Sequence, residues 1–180
     1  PPTLQADYPM LPHGPRPYVG CLPLTLKRTA RRGTLTMAMS FEQIEHTLRE
    51  LDLHGLRRED ALELQFPTGR YCNANGDRRL LVTIQLPADG QVFKASAPLA
   101  IKTAGEYVDV MLRACVMAQW MTRYVQFEFD EASEELRPVI EIPLADDGVL
   151  SPGQLRTCLG ALVTLTDDLY EGLIKAARDG

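Results

Sequence analysis

Apolar residues recur at two different spacings between residues 39 and 180. In the first segment they lie three or four positions apart, which is the period of a helix buried along one side. They are Phe41, Ile44, Leu48 and Leu51. Ser40 and Gln43 form a capping box in front of this stripe, so the sequence predicts a helix over about 41–54 that ends at Gly55.

Three predicted strands follow this helix, at 62–66, 80–86 and 91–97. In the first two, apolar residues recur at every second position, which is typical of strands with one buried face. Residues 73–77 are rich in asparagine and glycine, which tolerate positive φ angles, so they predict a turn. Residues 88–90 predict a tight hairpin between the second and third strands.

The second half of the chain continues with helix, strands and helix. A second helix is followed by alternating strands at 125–130 and 136–144. Pro138 and Pro143 predict that the last strand lies at a sheet edge or carries a bulge, since proline cannot donate to a ladder. A capping box at 151–154 begins the final helix. The order α-β-β-β-α-β-β-α predicts an α+β domain in which an antiparallel sheet packs with helices.

The second helix, over about 105–121, is apolar nearly all round. Its predicted core stripe is Val108, Leu112, Cys115 and Gln119. The other side carries Met111, Val116, Met117, Trp120 and Met121. A helix without a polar side must be covered on more than one side, and methionine and tryptophan are frequent at protein interfaces. Met117, Trp120 and Met121 are therefore candidate partner-binding residues, with filling of the core beneath the sheet as the alternative.

Residues 1–38 form a basic, proline-rich arm in front of the predicted domain at 39–180. The first forty residues hold five basic residues against one acidic residue, and seven of the thirteen prolines. Proline at this density favours extended chain. Because the rest of the chain is acidic, Arg28, Arg31 and Arg32 are further candidate partner-binding residues.

The arm admits three interpretations, namely a disordered tail, an arm that lies along a partner, and the remains of a targeting segment. Residues 22–36 are rich in arginine and threonine and lack acids, as organellar transit peptides do. The four cysteines are widely spaced without a CxxC pair, which is typical of a reducing compartment. We therefore expect a cytoplasmic protein, or a plastid stromal one if the arm derives from a targeting extension.

Composition narrows the classes of partner. The net charge of -5 and the isoelectric point near 5.2 argue against a dedicated nucleic-acid-binding protein. The sequence has no apolar run of about eighteen residues, so we expect no membrane-spanning helix. A protein partner or a homodimer is therefore the expected assembly.

The sequence lacks the motifs of common catalytic and metal sites. HExxH, GxSxG, GxGxxG and the phosphate-binding GxxxxGK are all absent. The turn at 73–77 resembles the start of a calcium loop, but Ile84 stands where the twelfth-position glutamate is needed. The acidic residues at 128–135 are more typical of a solvated hairpin tip than of paired catalytic carboxylates. We expect no enzyme, no metal and no cofactor.

The C-terminal part of the chain resembles a known family. Residues 136–170, LRPVIEIPLADDGVLSPGQLRTCLGALVTLTDDLY, are similar to the end of cyanobacterial and related bacterial YbjN-domain proteins. Their E-x-P-L and R-C-L-G-x-L type segments match Glu141, Pro143, Leu144, Arg156, Cys158, Leu159, Gly160 and Leu162. Residues 41–51 resemble the first helix of the family, so the likeness covers about 40–175.

This resemblance implies the type III secretion chaperone-like fold and a dimerising domain without known catalytic residues. It also implies a plastid-type member, since a nuclear-encoded version of a cyanobacterial protein would account for the arm. Together with the second helix, it favours a non-enzymatic protein-interaction module, a chaperone-like adaptor or assembly subunit that holds a protein partner. The alternative is a small-molecule-sensing regulatory domain whose concave sheet face takes a ligand.

Overall fold

One antiparallel sheet and three long helices form the part of the chain that the structure, a computed structural model, describes: residues 38–98, 100–103, 107–144 and 148–179. The elements are α1 (Phe41–Glu50), β1 (Leu56–Arg57), β2 (Leu62–Pro67), β3 (Arg79–Gln85), the single turn α2 (Pro87–Gly90), β4 (Val92–Ser96), β5 (Ile101–Lys102), α3 (Val108–Met121), β6 (Gln126–Asp130), β7 (Glu135–Pro143) and α4 (Pro152–Asp179). The predicted α+β fold and its order of long elements are confirmed. Arg28, Arg31 and Arg32 lie outside the described residues.

Strand β7 joins the two halves of the sheet. The first half runs β1-β2-β3-β4, and β4 pairs with residues 139–143 of β7. β5 pairs with residues 135–136, while β6 pairs with residues 135–139. Since β6 shares partners with both β4 and β5, it lies on the opposite side of β7 from them. β7 is thus bonded along both sides, and β6 is an edge strand.

The prediction that the two prolines place the last strand at an edge or a bulge is wrong. The carbonyl of Pro138 accepts a hydrogen bond of 3.1 Å from the amide of Ala97, just past the end of β4. The missing N–H of Pro138 therefore faces Ala97, the first residue past β4, and the ladder between β4 and β7 ends there. Pro143 is the last residue of β7 and pairs with Val92, the first residue of β4. The register through β7 is continuous.

The buried side chains come from alternate positions of the strands and from one stripe of each long helix. From the sheet they include Leu62, Leu64, Leu80, Val82, Ile84, Phe93, Ala95, Leu136 and Ile140. From the helices they include Ile44, Leu48, Met111, Cys115, Leu155, Leu159 and Leu162. α4 packs across this face of the sheet and contacts α1, α3, β4 and β7. The other face of the sheet carries the polar residues that alternate with these buried residues along the strands.

The end of α1 and the connection between β3 and β4 both differ from their predictions. The capping box of α1 is confirmed, with Gln43 N donating to Ser40 Oγ at 3.3 Å, but the helix ends at Glu50 rather than near residue 54. It ends early because Asp52 takes a left-handed φ of 57°, a conformation that aspartate tolerates. The predicted hairpin between β3 and β4 is confirmed, but its connection is the helical turn α2, in which a Cβ on Gly90 would collide with the carbonyl of Met39.

The carboxylate of a single residue of α4 accepts hydrogen bonds from the connection between β2 and β3. Asp167 Oδ1 accepts hydrogen bonds of 2.7 Å from the amides of Arg70 and Tyr71, and Oδ2 accepts one of 2.9 Å from Gly69. Burial alone would raise the pKa of Asp167, but these three amides and the Arg70 guanidinium outweigh it and lower the pKa. Beside them the Tyr71 and Tyr170 rings meet edge to face at 5.0 Å.

Replacing this carboxylate should loosen the fold in a pH-dependent way. We expect Asp167→Ala to lower the free energy of unfolding by about 1–2 kcal/mol, because three amides lose their acceptor. A lowered pKa stabilises the folded state above the unfolded value of about 4, so the deficit should be full at neutral pH. It should shrink as the pH falls through the folded pKa. Urea unfolding at several pH values measures this.

The matched control is Asp168→Ala, which removes an exposed ion pair of 3.0 Å with Arg70. Exposed pairs of this kind contribute well under about 1 kcal/mol. Equal destabilisation by the two variants, or a pH-independent deficit in Asp167→Ala, would contradict the assignment.

Candidate protein-interaction surface

The outer side of α3 exposes large apolar side chains to solvent. Trp120 is 91% exposed, Met121 86% and Met117 72%. Val116 and Tyr124, three residues after the helix, extend the same exposed set. We call these five residues the α3 face. Scattered single apolar residues are ordinary on protein surfaces, whereas adjoining exposed apolar residues are typical of interaction sites, so the α3 face is a candidate.

The buried stripe of α3 explains why this face points outward. Met111, Cys115 and Ala118 are buried at spacings of four and three residues. The stripe is therefore turned from the predicted one, in which Gln119 was core-facing and Met111 was not. At 100° per residue, Trp120 lies opposite Met111 on the helix. The core-filling alternative is correct for Met111 and wrong for Met117, Trp120 and Met121.

A tight connection brings the α3 face next to strand β6. The amide of Thr122 donates to the carbonyl of Gln119, and the Thr122 hydroxyl donates to the carbonyl of Val125 at 3.1 Å. β6 begins at Gln126, so only four residues separate it from Met121. The α3 face therefore lies at the same margin of the domain as the free edge of the sheet.

The carboxylates of the β6–β7 hairpin are held by cations rather than prepared for catalysis. Lys94 lies 2.9 Å from both Glu128 and Glu141, and Arg137 lies 3.0 Å from Asp130. The hydrogen bond that the amide of Ser133 donates to Oδ1 is the main reason that the pKa of Asp130 is lowered. A lowered pKa keeps this group ionised at neutral pH, so it is unsuited to act as a general acid.

Two of the described thiols, Cys115 and Cys158, are buried in the core. Burial raises the pKa of Cys115 to about 12 and also raises the pKa of Cys158, as expected for inert core thiols. His46 lies 3.3 Å from Glu50 on the exposed side of α1. Within the described part of the chain, no group of three His, Cys, Asp or Glu side chains could hold a metal ion.

An open cavity of about 410 Å³ lies at the far end of the sheet, beside the β2–β3 turn. Its polar lining includes Gln65, Tyr71, Asn75 and Arg79. Asn73 Oδ1 accepts the amides of Asn75 and Asp77 at 2.9 Å, so the sequence at 73–77 forms the Asx-type turn that it predicted. The volume falls within the range of small-molecule sites.

Nothing among the described helices is both long enough and apolar enough to cross a bilayer. No protein-family model matches the chain, and no curated protein matches it in sequence. Solved structures do match it. E. coli YbjN, a proposed transcription regulator, aligns over 74% of this chain and 93% of its own, with 11% identity and a TM-score of 0.57.

A chain of the HopA1–SchA chaperone–effector complex aligns over 72% of this chain and 91% of its own, with 11% identity and a TM-score of 0.50. At such low identity these likenesses establish the fold alone. They confirm the type III secretion chaperone-like and YbjN fold that the sequence resemblance implied.

The structure brings together Met117, Trp120 and Met121, which the sequence had singled out, and adds Val116 and Tyr124 to them. The sequence already places Val116 on the same side of the helix, and its helical spacing of four from Trp120 is the signal that it belongs to this set. Tyr124 lies in the connection after the helix, where periodicity gives no information.

The exposure of the α3 face predicts that Trp120 contributes little to the stability of the isolated chain. We expect Trp120→Ala to change the free energy of unfolding by less than about 0.5 kcal/mol, the usual range for surface sites. Met111→Ala on the same helix should cost about 2–5 kcal/mol, because Met111 is buried in the core. Chemical denaturation in dilute solution compares the two. A loss of stability in Trp120→Ala as large as that in Met111→Ala would mean that Trp120 is a core residue.

Proposed function

We propose that this chain is a non-enzymatic protein-interaction module, a chaperone-like adaptor or assembly subunit that holds a protein partner on the α3 face. The observation that carries the proposal is the exposure of Trp120, Met117 and Met121 together on one helix. The partner is another protein or, in a homodimer, a second copy of the chain.

The chemistry of the α3 face suits a binding surface whose energy is concentrated in a few side chains. Tryptophan and tyrosine are over-represented among residues whose truncation costs the most binding energy. The flexible methionines let the surface adapt to the shape of a partner. Arg113 and Arg123, both exposed, lie beside the apolar residues and supply part of a polar rim.

The fold and the site chemistry support the same proposal. A structure with this fold is part of a chaperone–effector complex. Among the described residues, the buried thiols have raised pKa values and the hairpin carboxylates are paired with cations, so neither set is prepared for catalysis. The arginines Arg28, Arg31 and Arg32 stay a prediction of additional partner contacts.

Substitution on the α3 face should separate binding from folding. We expect the tagged 180-residue chain to recover a stoichiometric partner, or itself as a dimer, from native extract. Trp120→Asp should weaken that association by about 30-fold or more, since residues of this kind carry about 2 kcal/mol or more. Light scattering and quantitative capture measure the loss.

Val149→Asp is the matched control, because Val149 is also an exposed apolar residue but lies in the connection before α4. It should bind as the unmodified chain does. Recovery of the unmodified chain alone as a monomer, or equal losses in the two variants, would overturn the proposal.

A second candidate is a small-molecule-sensing regulatory domain, which the cavity beside the β2–β3 turn favours. E. coli YbjN, with the same fold, is a proposed transcription regulator. A thermal-shift screen against metabolite classes tests this candidate, since a ligand at a hundred times its Kd stabilises a protein by about 2.7 kcal/mol. We expect any saturable shift to disappear in Arg79→Ala, which changes the cavity lining. A shift that survives this substitution would place the ligand elsewhere.

A further inference from the structure

Strand β6 is the longest free edge of the sheet. The other edge strands, β1 and β5, have two residues each, whereas β6 has five. Within the described residues, β6 pairs with β7 alone, so its outer side has no strand partner. Very short edge strands resist pairing with other chains, but a five-residue strand is long enough to accept another strand.

The ladder fixes which backbone groups face outward. The carbonyl of Pro138 is bonded to Ala97 on the β4 side. Its partner on β6 is Phe127, so these two residues form a non-hydrogen-bonded pair. The N–H and C=O of Phe127 therefore point away from β7. Because the pattern alternates along a strand, Phe129 also points outward, while Glu128 bonds to β7.

The backbone of β6 has no feature that blocks strand addition, and its charged side chains, Glu128 and Asp130, restrict only which strands can pair with it. β6 contains no proline and no lysine, and its register with β7 is continuous over all five pairs. Phe127 and Phe129 are half-buried and pack their rings against the core. A strand added outside β6 would therefore find unpaired backbone groups at alternate residues and apolar side chains on the helix side.

The charge of this edge selects among incoming strands. Glu128 and Asp130 each accept one cation, Lys94 and Arg137, from the interior side of the sheet. Glu131 and Glu134 are exposed beyond them, with no cation within salt-bridge distance among the described residues. An incoming strand therefore meets an excess of negative charge on the open face.

We propose that β6 binds an extended segment of a protein partner by strand addition, and that this segment carries lysine or arginine at alternate positions. Directly opposed unlike charges stabilise neighbouring strands, and like charges destabilise them. A second copy of β6 would bring Glu128 and Asp130 to the same open face, which disfavours self-pairing. The inference rests on the proposed function and adds the chemistry of the partner segment, using a surface that adjoins the α3 face.

Hydrogen exchange with model peptides tests strand addition directly. The probes are a soluble peptide of alternating lysine and valine, and its counterpart of alternating glutamate and valine. At saturation with the lysine peptide, we expect the amides of Phe127 and Phe129 to exchange at least about tenfold more slowly, because each gains an acceptor. The amide of Glu128, already bonded to β7, is the internal reference. The glutamate peptide should leave all three rates unchanged.

Charge reversal provides a matched pair of variants. Glu131→Lys should weaken binding of the lysine peptide by about fivefold, the effect of roughly 1 kcal/mol of surface electrostatics. Glu59→Lys places the same change in the exposed turn beside β1 at the opposite edge, and it should bind as the unmodified chain does. Added salt should reduce the difference between them.

Several outcomes would overturn the proposal. Peptide binding without slower exchange at Phe127 and Phe129 would mean attraction to the surface without strand pairing. Slow exchange of these amides in dilute protein without peptide would mean that the edge is already covered within the chain. Protection that rises with protein concentration alone would identify a second copy as the occupant. Since the assay needs neither Trp120 nor a natural partner, its failure is distinct from failure of the α3 face.

Discussion

The hydrogen bonding of β7 along both of its sides is the constraint on which the rest of the fold depends. On one side β7 holds β4 and β5, and on the other it holds β6. The meander β1–β4 and the hairpin β6–β7 therefore form one sheet only because β4 and β7 pair over five residues. α4 packs across this junction. The same pairing leaves β6 as the outermost strand and brings the end of α3 to its side.

Periodicity was sufficient to predict the long elements, because each buries one face against the same core. It could not predict where they end. The end of α1 depends on the left-handed conformation of Asp52, which a stripe of apolar residues does not encode. The prediction from the prolines of β7 was wrong because the rule for proline in strands assumes that a strand inside a sheet is hydrogen-bonded along its whole length on each side. The end of the ladder between β4 and β7, which accommodates Pro138, arises only when the sheet is assembled.

The candidate surface, too, could be predicted from the sequence only in part, because some of its features depend on how the helices and strands pack together. Sequence alone identified α3 as a helix with more apolar residues than one core can cover, and that excess predicted Met117, Trp120 and Met121. The sequence could not predict how the helix is rotated about its axis, because nearly every rotation places apolar residues toward the core. The buried spacing of Met111, Cys115 and Ala118 decides the rotation. The free edge of β6 depends on strand order, which no local pattern contains.

The α3 face and the β6 edge offer a partner two different kinds of interaction. Apolar contact with Trp120 and the methionines is strong for its area but has little directional preference. The proposed backbone bonding to Phe127 and Phe129 would contribute less energy, yet it would fix the direction and register of a bound chain. An extended segment held by both would gain affinity from the helix and orientation from the strand. Since only four residues separate Met121 from β6, one short segment can reach the two surfaces without a flexible linker between them.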